Sequence, residues 1–115
     1  MRHFIAGLLE DEGYDVVALE DGRALLKYLN PLINGVEGIR PPDLLISDIQ
    51  MPGATGLEAL SALRRAGVLV PAILLTAFGD AATHAAAQRL SASVLDKPFD
   101  PDTLIERVRN LLSRA

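Results

Sequence analysis

Asp48, Thr76 and Lys97 are the residues whose types and spacing could do chemistry. Each closes a short apolar run: Asp43-Leu44-Leu45-Ile46-Ser47-Asp48, Ala72-Ile73-Leu74-Leu75 before Thr76, and Val94-Leu95-Asp96 before Lys97-Pro98. Runs of this length, bounded by turn residues, read as buried strands. In a parallel sheet the carboxyl ends of the strands converge on one edge, where ligands bind. A carboxylate, a hydroxyl and an ammonium would meet there. That trio can accept, hold and neutralise a phosphoryl group, a chemistry that asks a protein mainly for positioning and charge compensation.

The elements that must position the trio follow from the apolar pattern. Residues 1–12 read as a helix with Phe4, Ile5, Leu8 and Leu9 inward and Gly13 as its C-cap. Tyr14 to Ala18 reads as a strand. Asp21 caps a helix with Leu25, Leu26 and Leu29 inward, which Asn30-Pro31 should end. The stretch from Pro31 to Pro42, with three prolines and two glycines, reads as a long surface loop. After the strand Leu44 to Asp48 comes the tight turn Ile49-Gln50-Met51-Pro52-Gly53. Thr55 and Glu58 form a capping box for a helix with Leu57, Leu60 and Leu63 inward, and Gly67 ends it. Asp80 caps the Ala-rich helix 81–90, which has little bulk to bury and should be the loosest. Asp100-Pro101-Asp102 starts the last helix, whose inward stripe is Leu104, Ile105, Val108, Leu111 and Leu112. Short apolar strands alternating with amphipathic helices predict an α/β fold, a parallel sheet covered on both faces.

Composition bounds the function. The 115 residues suit one domain, and half of them are apolar. Mean hydropathy is +0.25. With few aromatics and no Trp, the core must be built from Leu, Ile, Val and Ala. A net charge of −4 argues against direct nucleic-acid binding by this domain. Without Cys there is no disulfide and no thiolate metal site, which fits a cytoplasmic location. The longest mostly apolar run, Ala66 to Phe78, is broken by Pro71 and is too short to span a bilayer. Met1-Arg2-His3-Phe4 does not have signal-peptide form.

The anchors Asp48 with Met51-Pro52-Gly53, then Gly56, Thr76-Ala77 and Lys97-Pro98-Phe99 closely resemble the receiver domain of two-component response regulators. The resemblance covers essentially the whole chain. It implies a flavodoxin-like fold and a phosphoacceptor, Asp48, that takes its phosphoryl group from a sensor histidine kinase. Thr76 would be the switch hydroxyl and Lys97 the partner of carboxylate or phosphate, with a cis Lys97-Pro98 peptide. Asp48 and the backbone carbonyl of Gln50 would be ligands of Mg²⁺. A downstream output domain or protein would read the altered surface.

The chain departs from the family pattern at its start. Receivers open with a buried central strand that ends in an acidic, Mg²⁺-binding pair, whereas this sequence starts within the first helix. Glu10, Asp11 and Glu12 cannot substitute. They lie about 15 Å along that helix, at ~1.5 Å per residue, at the opposite edge of the sheet. Loss of the first strand would leave the strands near Val16 and Ile46 without their common neighbour, and exposed edges invite pairing. The expectation is rearrangement, a homodimer formed by strand or helix exchange, or a truncation whose start lies at an internal Met. Smaller departures are Val94 in place of an aromatic residue, Ser91 in place of a Gly, a segment about one residue short between Thr76 and Lys97, and a longer 31–42 loop.

Two other functions compete. A degenerate pseudo-receiver would bind protein without phosphorylation, consistent with the missing acidic pair. A phosphatase of the haloacid-dehalogenase type ranks last, because that chemistry needs a second Asp two residues on, where Gln50 stands. The reading is therefore a signalling domain, not an enzyme. The plain alternatives are Asp48 as a turn residue, His3 and His84 as solvated helix residues, Phe78 and Phe99 as packing residues, and Arg64-Arg65 as a solvated helix end.

Overall fold

A computed structural model describes residues 2–15, 22–49, 56–77 and 81–113. The described elements are α1 (Arg2–Asp11), α2 (Gly22–Ile33), β1 (Leu45–Asp48), α3 (Gly56–Arg65), β2 (Ala72–Thr76), α4 (Ala81–Arg89), β3 (Ser93–Asp96) and α5 (Pro101–Leu112). Among the described residues the sheet has three strands in the order β1-β2-β3. Both pairings are parallel, with Leu45 opposite Ala72 and Ile73 opposite Ser93. The order and the crossover helices are those of the predicted α/β sheet.

The period-2 alternation of β2 divides the core in two. Ala72 and Leu74 face a cluster with Leu25 and Leu29 of α2, Leu60 and Leu63 of α3, and Ala87 of α4. Ile73 and Leu75 face the opposite cluster, with Ile5 and Leu9 of α1 and Leu104 and Val108 of α5. β2 is buried along its whole length. α5 starts as its sequence predicts: Asp100 accepts a hydrogen bond from the Asp102 amide at 2.9 Å, and Pro101 takes the first helical position.

Four predictions need correction. α2 does not end at Asn30-Pro31 but runs through Pro31 to Ile33. Pro31 sits in the last turn, where its missing N–H forfeits one bond, and its carbonyl accepts from Val36 N–H at 2.9 Å. Leu32 and Ile33 then reach the apolar cluster, and that packing outweighs the proline. Phe4 is 51 % exposed, because the inward stripe of α1 is centred on Ile5, Leu8 and Leu9. Tyr14 and Asp15 carry no strand structure, and the rest of the predicted Tyr14–Ala18 strand lies outside the described residues, as do Asp21, Thr55, Phe78 and Asp80. Arg64 is not a solvated helix end: it is half-buried and donates to three backbone carbonyls, at Leu90, Val68 and Val70.

Helix ends α3 and α4 share one device. After α3, Val68 N–H bonds Leu63 O at 3.0 Å and Gly67 N–H bonds Arg64 O at 3.0 Å, with Gly67 at φ 80°. After α4, Ala92 N–H bonds Ala87 O at 3.0 Å and Ser91 N–H bonds Gln88 O at 3.0 Å, with Ser91 at φ 56°. Both are Schellman ends that need a left-handed residue, which glycine supplies without steric cost and serine does not. Ser91→Gly should therefore raise stability by about 0.5–1 kcal/mol in urea unfolding. An unchanged or lower midpoint would show that the left-handed turn costs nothing here.

Candidate functional site

The parallel registers build the site as a staircase. Asp48 lies opposite Leu75, and Thr76 lies opposite Asp96. Thr76 is thus one residue beyond the partner of Asp48, and Lys97 one residue beyond the partner of Thr76. Lys97 N–H donates to Thr76 O at 2.7 Å, which continues the ladder past the end of β3. The Lys97-Pro98 peptide is cis, as the family resemblance implies. Two strand spacings, about 10 Å, separate β1 from β3. The long Lys97 side chain crosses that width, and its Nζ forms an ion pair with Asp48 Oδ1. The sheet therefore brings the predicted Asp48 and Lys97 together over the end of β2.

The two oxygens of Asp48 are not equivalent. Oδ1 is shut off from solvent, and apart from the Lys97 ammonium it has no donor among the described residues. The side chain is nevertheless 32 % exposed. The exposure therefore belongs to the rest of the side chain and not to Oδ1. Thr76 closes β2 and is 4 % exposed, so its hydroxyl is held within the structure at the foot of the site. Phe99, two residues after Lys97, packs against the α1/α5 cluster and fixes the chain leaving β3.

Gly56 sets the other wall. It is the first residue of α3, and its N–H donates to Ile49 O at 3.0 Å. A Cβ there would lie 2.5 Å from Asp48 O, 2.8 Å from Ser47 Oγ and 3.3 Å from the Asp48 carbonyl carbon. The helix can start this close to the Asp48 backbone only because the side chain is absent. Reading the sequence located Gly56 as an anchor without its reason. Nor did it find the contact of His84 Nε2 with Asp96 Oδ1, 3.4 Å across an exposed seam between α4 and β3. Opposite charge potential at a strand end and on the facing helix was the available signal.

The donor set can be compared with what Mg²⁺ requires, six oxygens in a near-octahedral array. Among the described residues no three His, Cys, Asp or Glu side chains come together. Asp48 gives Oδ1 to Lys97, Asp96 turns toward His84, and Glu12 pairs with Arg109. Gln50 lies outside the described residues. The described residues therefore do not by themselves fit a magnesium ion. Receiver domains as a family typically bind Mg²⁺.

Gly56→Ala should destabilise by about 1–3 kcal/mol, the ordinary cost of overpacking, because the nearest atom, Asp48 O, belongs to strand backbone that cannot retreat. Gly7→Ala in α1 has nothing within 4 Å and serves as the control. It should be neutral or stabilising by about 0.5–1 kcal/mol. Equal losses in the two variants would refute the close-approach account.

Comparison with known proteins bears on this geometry. A family model described as the response regulator receiver domain matches residues 1–109. The alkaline phosphatase synthesis transcriptional regulatory protein SphR of Synechococcus elongatus is 34 % identical over 119 residues, covering 100 % of this chain and 46 % of that protein. The transcriptional regulatory protein CpxR of Escherichia coli is 36 % identical over 109 residues, covering 94 % of this chain and 43 % of that protein. The chain thus spans about half the length of the curated relatives it matches. Among solved structures, the receiver domain of the Francisella response regulator 1452 superposes with a TM-score of 0.84 at 28 % identity, covering 98 % of this chain and 88 % of that one. The Vibrio cholerae chemotaxis protein CheY4 gives a TM-score of 0.79 at 29 % identity, covering 96 % and 88 %. The chain belongs to the receiver-domain family of two-component response regulators.

Proposed function

We propose that this domain accepts a phosphoryl group on Asp48 from a sensor histidine kinase and relays it to an output domain or partner protein through the face formed by α4 and β3. The observation that carries the proposal is the Lys97 ammonium paired with Oδ1 of an Asp48 side chain that is itself partly exposed. In the transfer, Oδ2 attacks phosphorus, an O–P bond forms, and the bond from phosphorus to the donor breaks. The Lys97 ammonium then faces the new phosphoryl oxygens. Thr76, at the end of the neighbouring strand, is the hydroxyl within the site that can turn to one of them. The fold supplies positions and charge and needs no further covalent step.

One observation favours a second reading, a phosphorylation-independent binding domain: among the described residues no three metal-ligating side chains gather, and Asp48 is already paired with Lys97. The two readings separate on acetyl-phosphate labelling in Mg²⁺ buffer, with the modified residue located by mass spectrometry. Phosphoacceptor function predicts label on Asp48 and none in Asp48→Asn. Absence of label on the wild-type chain, given a positive control receiver in the same buffer, would leave the binding-domain reading.

The role of Lys97 has its own test. Lys97→Met removes the ammonium that faces the phosphoryl oxygens and should slow labelling on the order of ten- to a hundredfold. Stability should fall by about 1–3 kcal/mol, because Asp48 Oδ1 is then left without a donor among the described residues. Unchanged labelling would remove Lys97 from the chemistry.

We also propose that the chain forms a homodimer through the outer edge of β1, which pairs with no other strand among the described residues. Light scattering should show a mass that rises with concentration toward twice the monomer. A fixed monomer mass across the range would reject this.

A further inference from the structure

Leu45, Ser47 and Ile49 share one face of β1 and its continuation, and Leu45 and Ile49 both belong to the α2/α3 cluster. Ser47 puts a hydroxyl in the middle of that apolar stripe, only 6 % exposed. A buried hydroxyl is costly unless it is hydrogen-bonded. Its Oγ donates to the backbone carbonyl of the next residue, Asp48, at 2.9 Å. This bond is one of the interactions that Ser47 makes.

The Asp48 carbonyl points away from the central strand. Ile49 N–H donates to Leu75 O at 2.9 Å, so it is aimed at β2. In a trans peptide the carbonyl of the preceding residue is aimed the opposite way. Asp48 O therefore faces the outer edge of β1, where no strand pairs among the described residues. A partly buried carbonyl takes its partner from elsewhere when no strand supplies one, and here the donor is a side chain. The first residue of α3 closes over the same spot. A Cβ on Gly56 would lie 2.5 Å from Asp48 O and 2.8 Å from Ser47 Oγ, and Gly56 N–H donates to Ile49 O at 3.0 Å. The chain leaving Asp48 is thus gripped by β2 at Ile49 N–H, by α3 at Ile49 O and by Ser47 at Asp48 O.

We infer that Ser47 is a positioning residue for Asp48. Its bond closes a ring through the Ser47–Asp48 peptide and the Asp48 Cα, and so restrains φ and ψ of Asp48 together. These angles set how the Cα–Cβ bond stands relative to the sheet, and the carboxylate hangs from that bond. Lys97 holds the far end of the side chain at Oδ1. Ser47 holds the near end, and does so from the other face of the sheet: Ile46, which shares its face with Asp48, packs on the α1/α5 cluster. The effect on phosphoryl transfer rests on the phosphoacceptor reading of Asp48, whereas the restraint does not. An attacking oxygen misplaced by about 1 Å can cost on the order of a hundredfold in rate. The plain alternative is that residue 47 need only be small, so that α3 can start at Gly56. Alanine would meet that need equally well.

The restraint is tested without any phosphoryl donor, by carbon-13 NMR of wild type, Ser47→Ala and Ser47→Thr. In Ser47→Ala the Asp48 backbone carbonyl should move upfield, as a carbonyl that loses a hydrogen bond does. The Asp48 carboxyl and Lys97 Cε signals should move with it. In Ser47→Thr, which keeps the hydroxyl, all three should stay near wild type. Unmoved Asp48 and Lys97 signals in Ser47→Ala would overturn the restraint, and so would equal shifts in the two variants. If the variants fail to fold, the wild-type hydroxyl decides: a slowly exchanging, distinct Ser47 hydroxyl proton supports the restraint, and a fast-exchanging averaged one overturns it. The effect on transfer is read from acetyl-phosphate labelling of Asp48 in Mg²⁺ buffer as a function of acetyl-phosphate concentration. Ser47→Ala should lower the maximum rate constant ~10-fold and leave the half-saturating concentration within about twofold. Ser47→Thr should restore the rate constant to within about threefold of wild type. A merely destabilised fold would lower the amount of label and not this rate constant. A wild-type rate constant in Ser47→Ala would overturn the effect on transfer. No label on the wild-type chain would refute the phosphoacceptor reading, and the effect on transfer with it, while the carbon-13 comparison still decides the restraint.

Discussion

Burial of β2 on both faces is the constraint from which the rest of the architecture follows. All five residues, Ala72 to Thr76, are buried, and Ile73, Leu74 and Leu75 are each no more than 2 % exposed. Such a strand must have pairing partners at both edges, to satisfy its backbone, and helices on both faces, to cover its side chains. β1 and β3 meet the first need and the two helix layers meet the second. At about 1.5–3 kcal/mol per large side chain, the burial supplies much of the local driving force. Because both pairings are parallel, the carboxyl ends of three strands are brought to one edge, and the site is a consequence of the core.

The ion pair at that edge has a different status. A pair with roughly a quarter to a third of each side chain in solvent contributes about 0–1 kcal/mol net. It does not hold the fold together. What it does is keep one cation over one oxygen of a carboxylate whose side chain is partly exposed at the sheet edge. Gly56 belongs to the same logic. Its missing side chain lets α3 start in contact with the backbone of Asp48, so Asp48 is held from the helix side as Lys97 holds it from the strand side.

Asp48, Thr76 and Lys97 were legible in the sequence because each sits where an apolar run stops, and strand ends in a parallel sheet are brought together by topology alone. The sheet, the capping of α5 at Asp100 and the end of α3 at Gly67 were legible for the same local reasons. Other features depend on long-range packing that a linear pattern does not encode. Pro31 is a helix breaker by propensity, yet Leu32 and Ile33 have a core to reach. Phe4 looks like part of an inward stripe, yet its neighbours fill the available face. Arg64 looks solvated next to Arg65, because nothing in the sequence says that the carbonyls of Val68, Val70 and Leu90 lack strand or helix partners within reach of that guanidinium. A side chain that satisfies backbone groups from two distant segments becomes visible only once those segments are placed.

Charge arithmetic at the edge shows what such a site demands next. Asp48 and Lys97 cancel one another before any transfer. If Asp48 accepts a phosphoryl group as proposed, the carboxylate would become a neutral acyl oxygen and the phosphoryl group would bring about −1.5 to −2 charge near neutral pH. Lys97 compensates one unit of this. The remaining negative charge, roughly one unit, must be met by hydroxyl and amide dipoles, by a cation, or by solvent at the exposed side. The N-terminal end of α3, beside Asp48, offers about half a unit in the favourable sense. The Asp48–Lys97 edge is therefore closer to balance before such a transfer than after it. On the proposed function, the persistence of a phosphorylated form would be set by how that last unit of charge is compensated, more than by the strength of the Asp48–Lys97 pair itself.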